Sequence, residues 1–253
     1  MNNYSKPLVS VITVVYNASK TLEQTILSVI NQTYATIEYI IIDGGSTDGT
    51  IDILKKYNKN ISFWSSEPDK GLYDAMNKGI LHAKGEIIGM INSDDWYELN
   101  AVELIVKSYT ENPNKCIFHG DRFDILEDGS KRVKKFHPSK FKFLYYGMTY
   151  NHPSMFVSKK IYENELYNTN LKSLSDYEFV LKQYLTHPDI FFYIPEAYVN
   201  YRLDGISSKM SSFKVIKEGF KARKTAGLSF FQNSFSVVLR SILITILSHL
   251  KRI

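Results

Sequence analysis

The first half of the chain alternates between short apolar runs and segments with helical periodicity. Residues 8–15 form an almost unbroken apolar run, which is typical of a strand buried on both faces. In residues 21–32, Leu22, Ile26 and Val29 recur at the spacing of one helix face. The pattern then predicts strand 38–43, helix 50–57, strand 62–66, helix 74–83, strand 86–91, helix 101–112 and strand 116–120. This alternation predicts an α/β fold with a parallel sheet covered by helices.

The second half of the chain is less regular. Residues 121–138 contain the turn signal Glu127-Asp128-Gly129 and predict a hairpin. Further elements are predicted as a strand at 152–157, a helix at 174–185, a strand at 190–194, and two helices from residue 213 onward, separated near Gly227. The sequence therefore predicts one domain over residues 1–212 and a helical tail over 213–253.

The composition is that of an ordinary globular protein, with 44% hydrophobic and 23% charged residues in 253. The net charge of +5 favours anionic partners, but no dense basic run with interleaved aromatic residues indicates nucleic acid. The single cysteine, Cys116, excludes an internal disulfide and fits a reducing cytoplasm. The opening MNNYSKP lacks the apolar region of a signal peptide.

Polar side chains follow four of the predicted strands. In open α/β sheets, ligands bind outside the carboxyl ends of the strands, so these residues are candidates for a binding site. They are Tyr16 and Asn17 after the first strand, Asp43 at the end of the second, Glu67 to Asp69 after the third, and Asn92 to Asp95 after the fourth.

The adjacent carboxylates of Asp94 and Asp95 are the strongest chemical signal among these residues. Two neighbouring carboxylates repel each other unless a cation lies between them. Oxygen ligands of this kind suit Mg2+ or Mn2+, which bind one or two carboxylates together with substrate phosphates. The alternative is a solvated turn or a helix cap that contains two acids.

Asp43 precedes the glycine-rich segment GGSTDG. Its carboxylate either forms an Asx-type turn or contacts the base or ribose of a nucleotide. The segment is neither a P-loop nor a dinucleotide fingerprint, because its glycine spacing differs from both. A metal ion is therefore the expected counter-charge for a bound diphosphate.

The loop after the third strand supplies further candidates. Asp69 and Lys70 either belong to a surface loop or reach the nucleotide or its diphosphate. Asn77 follows Asp74 by three residues, so both can share one helix face.

Several segments together resemble family 2 glycosyltransferases of GT-A fold. They are VSVITVVYN, NQTYATIEYIIIDGGSTDGT and SEPDKGLYDAMNKGILHAKGEIIGMINSDDW, followed more weakly by HPSMFV and SDYEFVLKQ. The resemblance is closest to bacterial members that build capsule, exopolysaccharide and lipopolysaccharide. It implies a mostly parallel, Rossmann-like sheet flanked by helices, with a nucleotide-sugar-binding half over 1–115 and an acceptor-side half over 116–212.

The resemblance also implies roles for individual residues. Tyr16 and Asn17 would border the nucleotide pocket. Asp94 would contact the donor ribose or the metal, and Asp95 the metal. Asp176 matches the position of the catalytic base.

Two positions depart from the family pattern, and three residues keep alternatives open. Gly44 stands where many members carry a second acid that reads uracil, and Asn92 replaces an aspartate. The alternative for Asp176 is a helix N-cap, with Glu178 then as the base. His152 is either structural or part of the acceptor or donor site.

Members of the family invert the anomeric centre, and the resemblance implies transfer from a nucleotide-sugar, most often a UDP-sugar. The acceptor would be a saccharide or polyprenyl-linked hydroxyl. The alternatives are a catalytically silent module that binds nucleotide-sugars, and a sugar nucleotidyltransferase. Sugar nucleotidyltransferases usually carry a glycine-rich, basic segment after the first strand. Here that place has the sequence YNASKT, which argues against this alternative.

The tail and one loop suggest further contacts. Residues 235–253 are apolar, with Arg240 inside, and are too short and interrupted for a membrane-spanning helix. They predict either packing on the domain or in a homodimer, or an in-plane helix with basic residues toward anionic lipid. The latter places the protein at the inner face of the cell membrane. Arg202, in a loop predicted over 202–207, either forms a surface salt bridge or meets phosphate.

Overall fold

A computed structural model describes residues 6–203 and 211–250. The strands are β1 (Val9–Val15), β2 (Ile37–Asp43), β3 (Phe63–Ser66), β4 (Ile87–Asn92), β5 (Trp96–Tyr97), β6 (Ile117–Ile125), β7 (Lys131–Lys134), β8 (Phe156–Ser158) and β9 (Phe191–Arg202). The helices are α1 (Leu22–Ile30), α2 (Thr50–Lys56), α3 (Leu72–His82), α4 (Ala101–Glu111), α5 (Lys159–Tyr162), α6 (Ser175–Thr186), α7 (Ser212–Thr225) and α8 (Phe230–Leu250). A π-helical turn spans Lys142–Tyr146, and 3-10 turns span His152–Ser154 and Pro188–Ile190.

One sheet runs through the described residues in the order β3-β2-β1-β4-β8-β6-β9-β5, with β7 paired to β6. The first four strands of this order are parallel, as the alternating pattern predicts. Their register brings Val15, Asp43, Ser66 and Asn92 to one edge of the sheet. The polar residues that follow these strands therefore meet at that edge.

The second half of the sheet is mixed. β8 pairs antiparallel with both β4 and β6, whereas β6 and β9 are parallel. The predicted α/β fold is confirmed, but the parallel arrangement is limited to β3-β2-β1-β4 and to the β6–β9 pair.

The strands of the second half differ most from the sequence prediction. The strand expected at 152–157 is reduced to β8, because residues 152–154 form a 3-10 turn with Pro153 near its start. The strand expected at 190–194 continues to Arg202. The register against β6 shifts between Gly120 and Asp121, where Pro195 lies in β9 and has no N–H for the ladder.

Apolar clusters cover both faces of the parallel strands. Ile12 and Val14 of β1 belong to a cluster that includes Met76 and Ile80 of α3. The alternate β1 residues belong to a second cluster, which includes Leu22 and Ile26 of α1. Burial on both faces explains why β1 has an unbroken apolar sequence rather than an alternating one.

His119 on β6 is buried among aromatic rings from other parts of the chain. The ring of His119 is 4.6 Å from that of Phe136, 4.7 Å from that of Tyr150 and 5.5 Å from that of Tyr193. Its Nδ1 atom has no hydrogen-bond partner among the described residues. Burial lowers the pKa of His119 to about 3, so the ring is neutral in the folded protein at physiological pH.

We predict that His119 makes the fold sensitive to acid. The unfolded chain binds this proton with a pKa of about 6.5, so the free energy of unfolding falls as the pH drops from there toward 3. His119→Phe removes this dependence and flattens the stability curve between about pH 6 and 4 by up to ~1.4 kcal/mol per pH unit. Urea unfolding at several pH values measures the slope. The exposed His187→Gln is the control, and parallel curves for His119→Phe and wild type would contradict the prediction.

Candidate active site

Asp43 organises the turn that follows β2. Its side chain is buried, and Oδ2 accepts hydrogen bonds from the amides of Gly45 at 3.0 Å and Ser46 at 2.9 Å. The hydroxyls of Ser66 and Ser46 donate to Oδ2 and Oδ1 at 2.6 and 2.5 Å. These four bonds support the Asx-type turn, and the predicted contact of Asp43 with a base or ribose stays a prediction.

Asn17 joins the end of β1 to the same turn. It has a positive φ of 49°, its amide donates to Ser46 Oγ at 2.7 Å, and its Oδ1 accepts from the Thr47 amide at 2.9 Å. The neighbouring Tyr16 is 66% exposed. This arrangement presents the Tyr16 ring to solvent at the carboxyl edge of the sheet, as expected for a wall of a nucleotide pocket.

Gly44, Tyr16 and Asp69 approach one another closely at this edge. A Cβ atom on Gly44 would lie 2.5 Å from Oδ2 of Asp69 and 3.4 Å from Cδ2 of Tyr16. The carboxylate of Asp69 therefore occupies the space that a side chain at position 44 would need. The other oxygen of Asp69, Oδ1, accepts a hydrogen bond from the Gly71 amide at 2.7 Å.

Asn77 connects the two halves of the domain. Its Nδ2 donates to the Tyr167 carbonyl at 2.8 Å, and its Oδ1 accepts from the Tyr167 amide at 3.0 Å. Asp74 accepts a hydrogen bond from the Lys70 amide at 3.0 Å, while the Lys70 residue is exposed. Nucleotide contacts of Asn77 and Lys70 stay predictions.

The two acids after β4 have different surroundings. Asp95 is 1% exposed, and its oxygens accept hydrogen bonds from the Arg202 amide at 3.0 Å and from Asn92 Nδ2 at 3.2 Å. Burial and the nearby carboxylate of Asp94 raise the pKa of Asp95 to about 7. Asp94 is only partly buried. Asp94 is thus the more accessible carboxylate, and direct metal binding by Asp95 stays a prediction.

Arg202 holds the acidic loop from the end of β9. Its Nε donates to the Asp94 carbonyl at 2.8 Å and its Nη2 to Gln24 Oε1 at 2.5 Å. The guanidinium also lies 4.7 Å from the centre of the Trp96 ring. The acceptors of these two bonds are a main-chain carbonyl and a side-chain amide oxygen, and both alternatives for Arg202, a surface salt bridge and a contact with phosphate, stay predictions. Residues 204–207 of the predicted loop lie outside the described residues.

Asp176 lies in the first turn of α6 and contacts the first half of the domain. Its Oδ1 accepts a hydrogen bond from the Tyr73 hydroxyl at 2.9 Å, across 103 positions of sequence. The N-cap position of α6 is Leu174, and no side chain caps the helix. Tyr73 belongs to the start of α3, just after the Asp69 loop, so this bond holds Asp176 toward the carboxyl edge of the parallel strands.

Glu178, the alternative base, is buried elsewhere on α6. Its Oε1 accepts a hydrogen bond from Asn168 Nδ2 at 3.2 Å, and the residue is 8% exposed. Asp176 is partly exposed. This difference in accessibility favours Asp176 as the carboxylate that can meet an acceptor.

His152 lies close to Asp176 in a network of tyrosines. Its Nε2 is 3.0 Å from the Tyr167 hydroxyl, which is 3.1 Å from the hydroxyl of Tyr162. Burial lowers the pKa of His152, and the charge of Asp176 acts in the opposite direction. The surroundings support the structural alternative for His152, and a contact with donor or acceptor stays a prediction.

The described residues contain no cluster of three or more His, Cys, Asp or Glu side chains that could hold a metal ion.

Comparison with known proteins identifies the family. The family model described as glycosyl transferase family 2 matches residues 10–166, more than half of the chain. The chain belongs to glycosyl transferase family 2. Of the candidate residues, Asp176, Glu178 and Arg202 lie outside the matched segment, and the others lie within it.

Relatives and solved structures agree with this assignment. The chain is 30% identical over 181 residues to the chondroitin synthase of Pasteurella multocida, an alignment that covers 70% of this chain and 19% of that protein. The fold is similar to S. aureus TarS in complex with UDP-GlcNAc, with a TM-score of 0.69, 17% identity, and 91% and 70% of the two chains covered. It is also similar to the mannosyltransferase PcManGT of Pyrobaculum calidifontis in complex with GDP-Man and Mn2+, with a TM-score of 0.68, 13% identity, and 98% and 76% covered. The fold is GT-A.

Sequence reasoning missed two contacts at this site. Tyr73 lies in the GLYDAMNKG segment, but an isolated tyrosine gives no signal that it will meet Asp176. The amide of Arg202 reaches Asp95 across 107 positions, and no local pattern predicts a main-chain donor.

We predict that Asp43 stabilises the fold through its turn. Asp43→Asn places an amide among four hydrogen-bond donors and lowers the free energy of unfolding by about 1–3 kcal/mol. Urea unfolding measures the loss, and the exposed Asp52→Asn on α2 changes stability by less than about 0.5 kcal/mol as a control. Unchanged stability together with a loss of nucleotide affinity would instead indicate that Asp43 binds the nucleotide-sugar.

Proposed function

We propose that this protein is an inverting glycosyltransferase that moves a sugar from a UDP-sugar to an acceptor hydroxyl in cell-surface polysaccharide synthesis. The proposal is carried by one observation, that two separate and accessible carboxylates are directed toward the carboxyl edge of the sheet. Asp94 follows β4 at the carboxyl edge, and Asp176 is held toward that edge by Tyr73. Family membership and the GT-A fold support the same reaction.

A divalent cation, Mn2+ or Mg2+, fits the carboxylates after β4. Asp94 would hold it, and Asp95 would support the loop from behind through its bonds to Arg202 and Asn92. When bound, such an ion supplies positive charge to the diphosphate that leaves.

Asp176 acts as the general base in this proposal. As the acceptor oxygen bonds to the anomeric carbon, the hydroxyl proton passes to the Asp176 carboxylate, and the bond from that carbon to the diphosphate oxygen breaks. Attack from the face opposite the nucleotide inverts the anomeric centre. The Tyr73 hydroxyl bonds to Oδ1 and orients the carboxylate, and Oδ2 is then the oxygen that would take the acceptor proton.

The strand ends also fit a uracil base. The exposed ring of Tyr16 offers a stacking surface, and Oδ2 of Asp69 lies beside it in the space above Gly44. The Gly71 amide bonds to Oδ1, so Oδ2 is the oxygen that would accept a hydrogen bond from the base. The N3–H of uracil is a donor that such an oxygen can accept.

The acceptor is a saccharide or polyprenyl-linked hydroxyl in this proposal, and the reaction takes place at the cytoplasmic face of the cell membrane. The lone Cys116 suits a reducing compartment, and a lipid-linked acceptor would be met at that surface. The alignment covers less than two thirds of the chondroitin synthase. The proposed acceptor therefore rests on membership of the family and not on similarity to that protein.

A panel of donors with and without metal tests the proposal. We expect UDP and UDP-sugars to raise the melting temperature in the presence of Mn2+, more than GDP does, and donor hydrolysis to follow. Asp94→Asn weakens metal-dependent nucleotide binding by at least about tenfold in calorimetry. Binding without hydrolysis or transfer would favour a silent nucleotide-sugar-binding module. No nucleotide binding at all would contradict the proposal.

We predict that Asp176→Asn abolishes transfer and largely preserves donor binding. Loss of a general base lowers kcat by about 10²–10⁴-fold, while the donor contacts at the carboxyl edge remain. Single-turnover transfer and UDP calorimetry separate the two effects. Asp189→Asn, an exposed change near the end of α6, is the matched control. Preserved turnover in Asp176→Asn would exclude this residue as the base.

A further inference from the structure

The C-terminal helix α8 turns three of its polar side chains toward the protein, whereas Gln232, Ser241 and Thr245 are exposed. Asn233 is 1% exposed, accepts a hydrogen bond from Arg223 Nε at 3.0 Å and donates to the Phe220 carbonyl at 2.7 Å. Ser236 is fully buried and donates to the Tyr145 carbonyl. Arg240 continues this polar face, since its Nη1 donates to the carbonyl of Tyr146.

The opposite face of α8 is apolar and exposed. The exposed fractions are 84% for Phe231, 48% for Phe235, 57% for Val238, 52% for Ile242 and 49% for Ile246. At about 100° per residue, these positions lie on the side of the helix away from Asn233 and Ser236. These five large apolar side chains of α8 thus face away from the domain, whereas the apolar face of an ordinary surface helix packs on the core.

Helix α7 presents a basic face to solvent. Lys214, Lys217, Lys221 and Lys224 follow one another at spacings of three and four residues, and all four are exposed. The buried face of α7 lies opposite and includes Ala222 and Ala226. The acid of this helix, Glu218, accepts hydrogen bonds from the amides of Lys172 and Ser173, so its carboxylate is turned toward the domain.

We propose that α7 and α8 together bind the surface of an anionic membrane, with the apolar face of α8 in the acyl region and the α7 lysines at the phosphates. Both faces are exposed and the Arg223–Asn233 hydrogen bond joins the two helices, so anionic lipid, which offers both hydrocarbon and negative charge, is the occupant we propose. In the described residues, no helix has the length and hydropathy needed to cross a bilayer. In the proposed arrangement α8, about 31 Å long, lies in the membrane plane, because its inner face is bonded to the domain.

In this arrangement, the exposed positive charge lies on α7, whereas the sequence suggests basic residues of the tail itself. Arg240 was the expected basic residue within 235–253, but the structure bonds it to the Tyr146 carbonyl and sets it 5.0 Å from the Tyr146 ring. The other basic residues of the tail, at 251 and 252, lie outside the described residues. The lysines of α7 supply the charge instead.

A second copy of the chain fits the surface less well. A symmetric pair through these helices would bring both sets of α7 lysines into one interface, where like charges repel. The membrane surface is independent of the residues of the proposed active site. This proposal rests on the proposed function, because it identifies the membrane contact of that function. Vesicle binding, measured without donor or acceptor, tests the contact separately from sugar transfer.

Flotation of the full chain with lipid vesicles tests the proposal. We expect binding to vesicles of phosphatidylcholine with about 30% phosphatidylglycerol, and weaker binding to phosphatidylcholine alone or in about 0.5 M salt. Lys217→Gln/Lys221→Gln weakens binding to the anionic vesicles by about 25-fold, at about fivefold per lysine. Val238→Ser/Ile242→Ser weakens it by about tenfold or more.

Matched changes elsewhere serve as controls. Leu81 on α3 is 74% exposed, so Leu81→Ser removes a comparable apolar side chain, and Lys107→Gln on α4 removes one exposed charge. Both controls should float like wild type, and thermal unfolding checks that every variant folds. The proposal is overturned if wild type does not float with anionic vesicles, or if the helix variants float as well as wild type. It is also overturned if sedimentation shows a dimer that Val238→Ser/Ile242→Ser dissociates while flotation is unchanged.

Discussion

The register of four parallel strands is the constraint on which the site depends. Val15, Asp43, Ser66 and Asn92 lie at one edge because β1, β2, β3 and β4 pair in register and end together. Apolar clusters on both faces fix that register, since a slip would expose one set of side chains. The Asp43 carboxylate then closes the turn after β2 with four hydrogen bonds, and this leaves the residues beside it to meet a ligand.

The buried acid after β4 shows how the same edge is supported from the second half of the chain. Asp95 is buried, and burial destabilises a charged carboxylate. The hydrogen bond from the Arg202 amide offsets part of this cost of desolvation. The side chain of Arg202 meanwhile bonds the carbonyl of Asp94. The end of β9 therefore determines the shape of the acidic loop, although it lies more than 100 positions away. The partly buried Asp94 owes its position to this buried support.

Local periodicity predicts the parallel half of the fold because each strand and helix there contains its own signal. The mixed half is not predicted in the same way, since Pro153 and Pro195 interrupt strands whose pairing depends on partners distant in sequence. For the site, the position of Asp43 and Asp94 after strands was predictable. The approach of Asp69 to Gly44 was not, because the sequence shows only that an acid is missing at position 44, and the structure shows another carboxylate in its space.

The reversed orientation of α8 follows from the π-helical turn beneath it. Periodicity alone shows that α8 has an apolar stripe, but not which way the stripe faces. The carbonyls of Tyr145 and Tyr146 end the π-helical turn at Gly147, where the last carbonyls of a helix need donors from outside it. Ser236 and Arg240 supply these donors, so the polar face of α8 must turn inward. The apolar face is then directed away from the domain, so its exposure accompanies the hydrogen bonds that satisfy these two carbonyls.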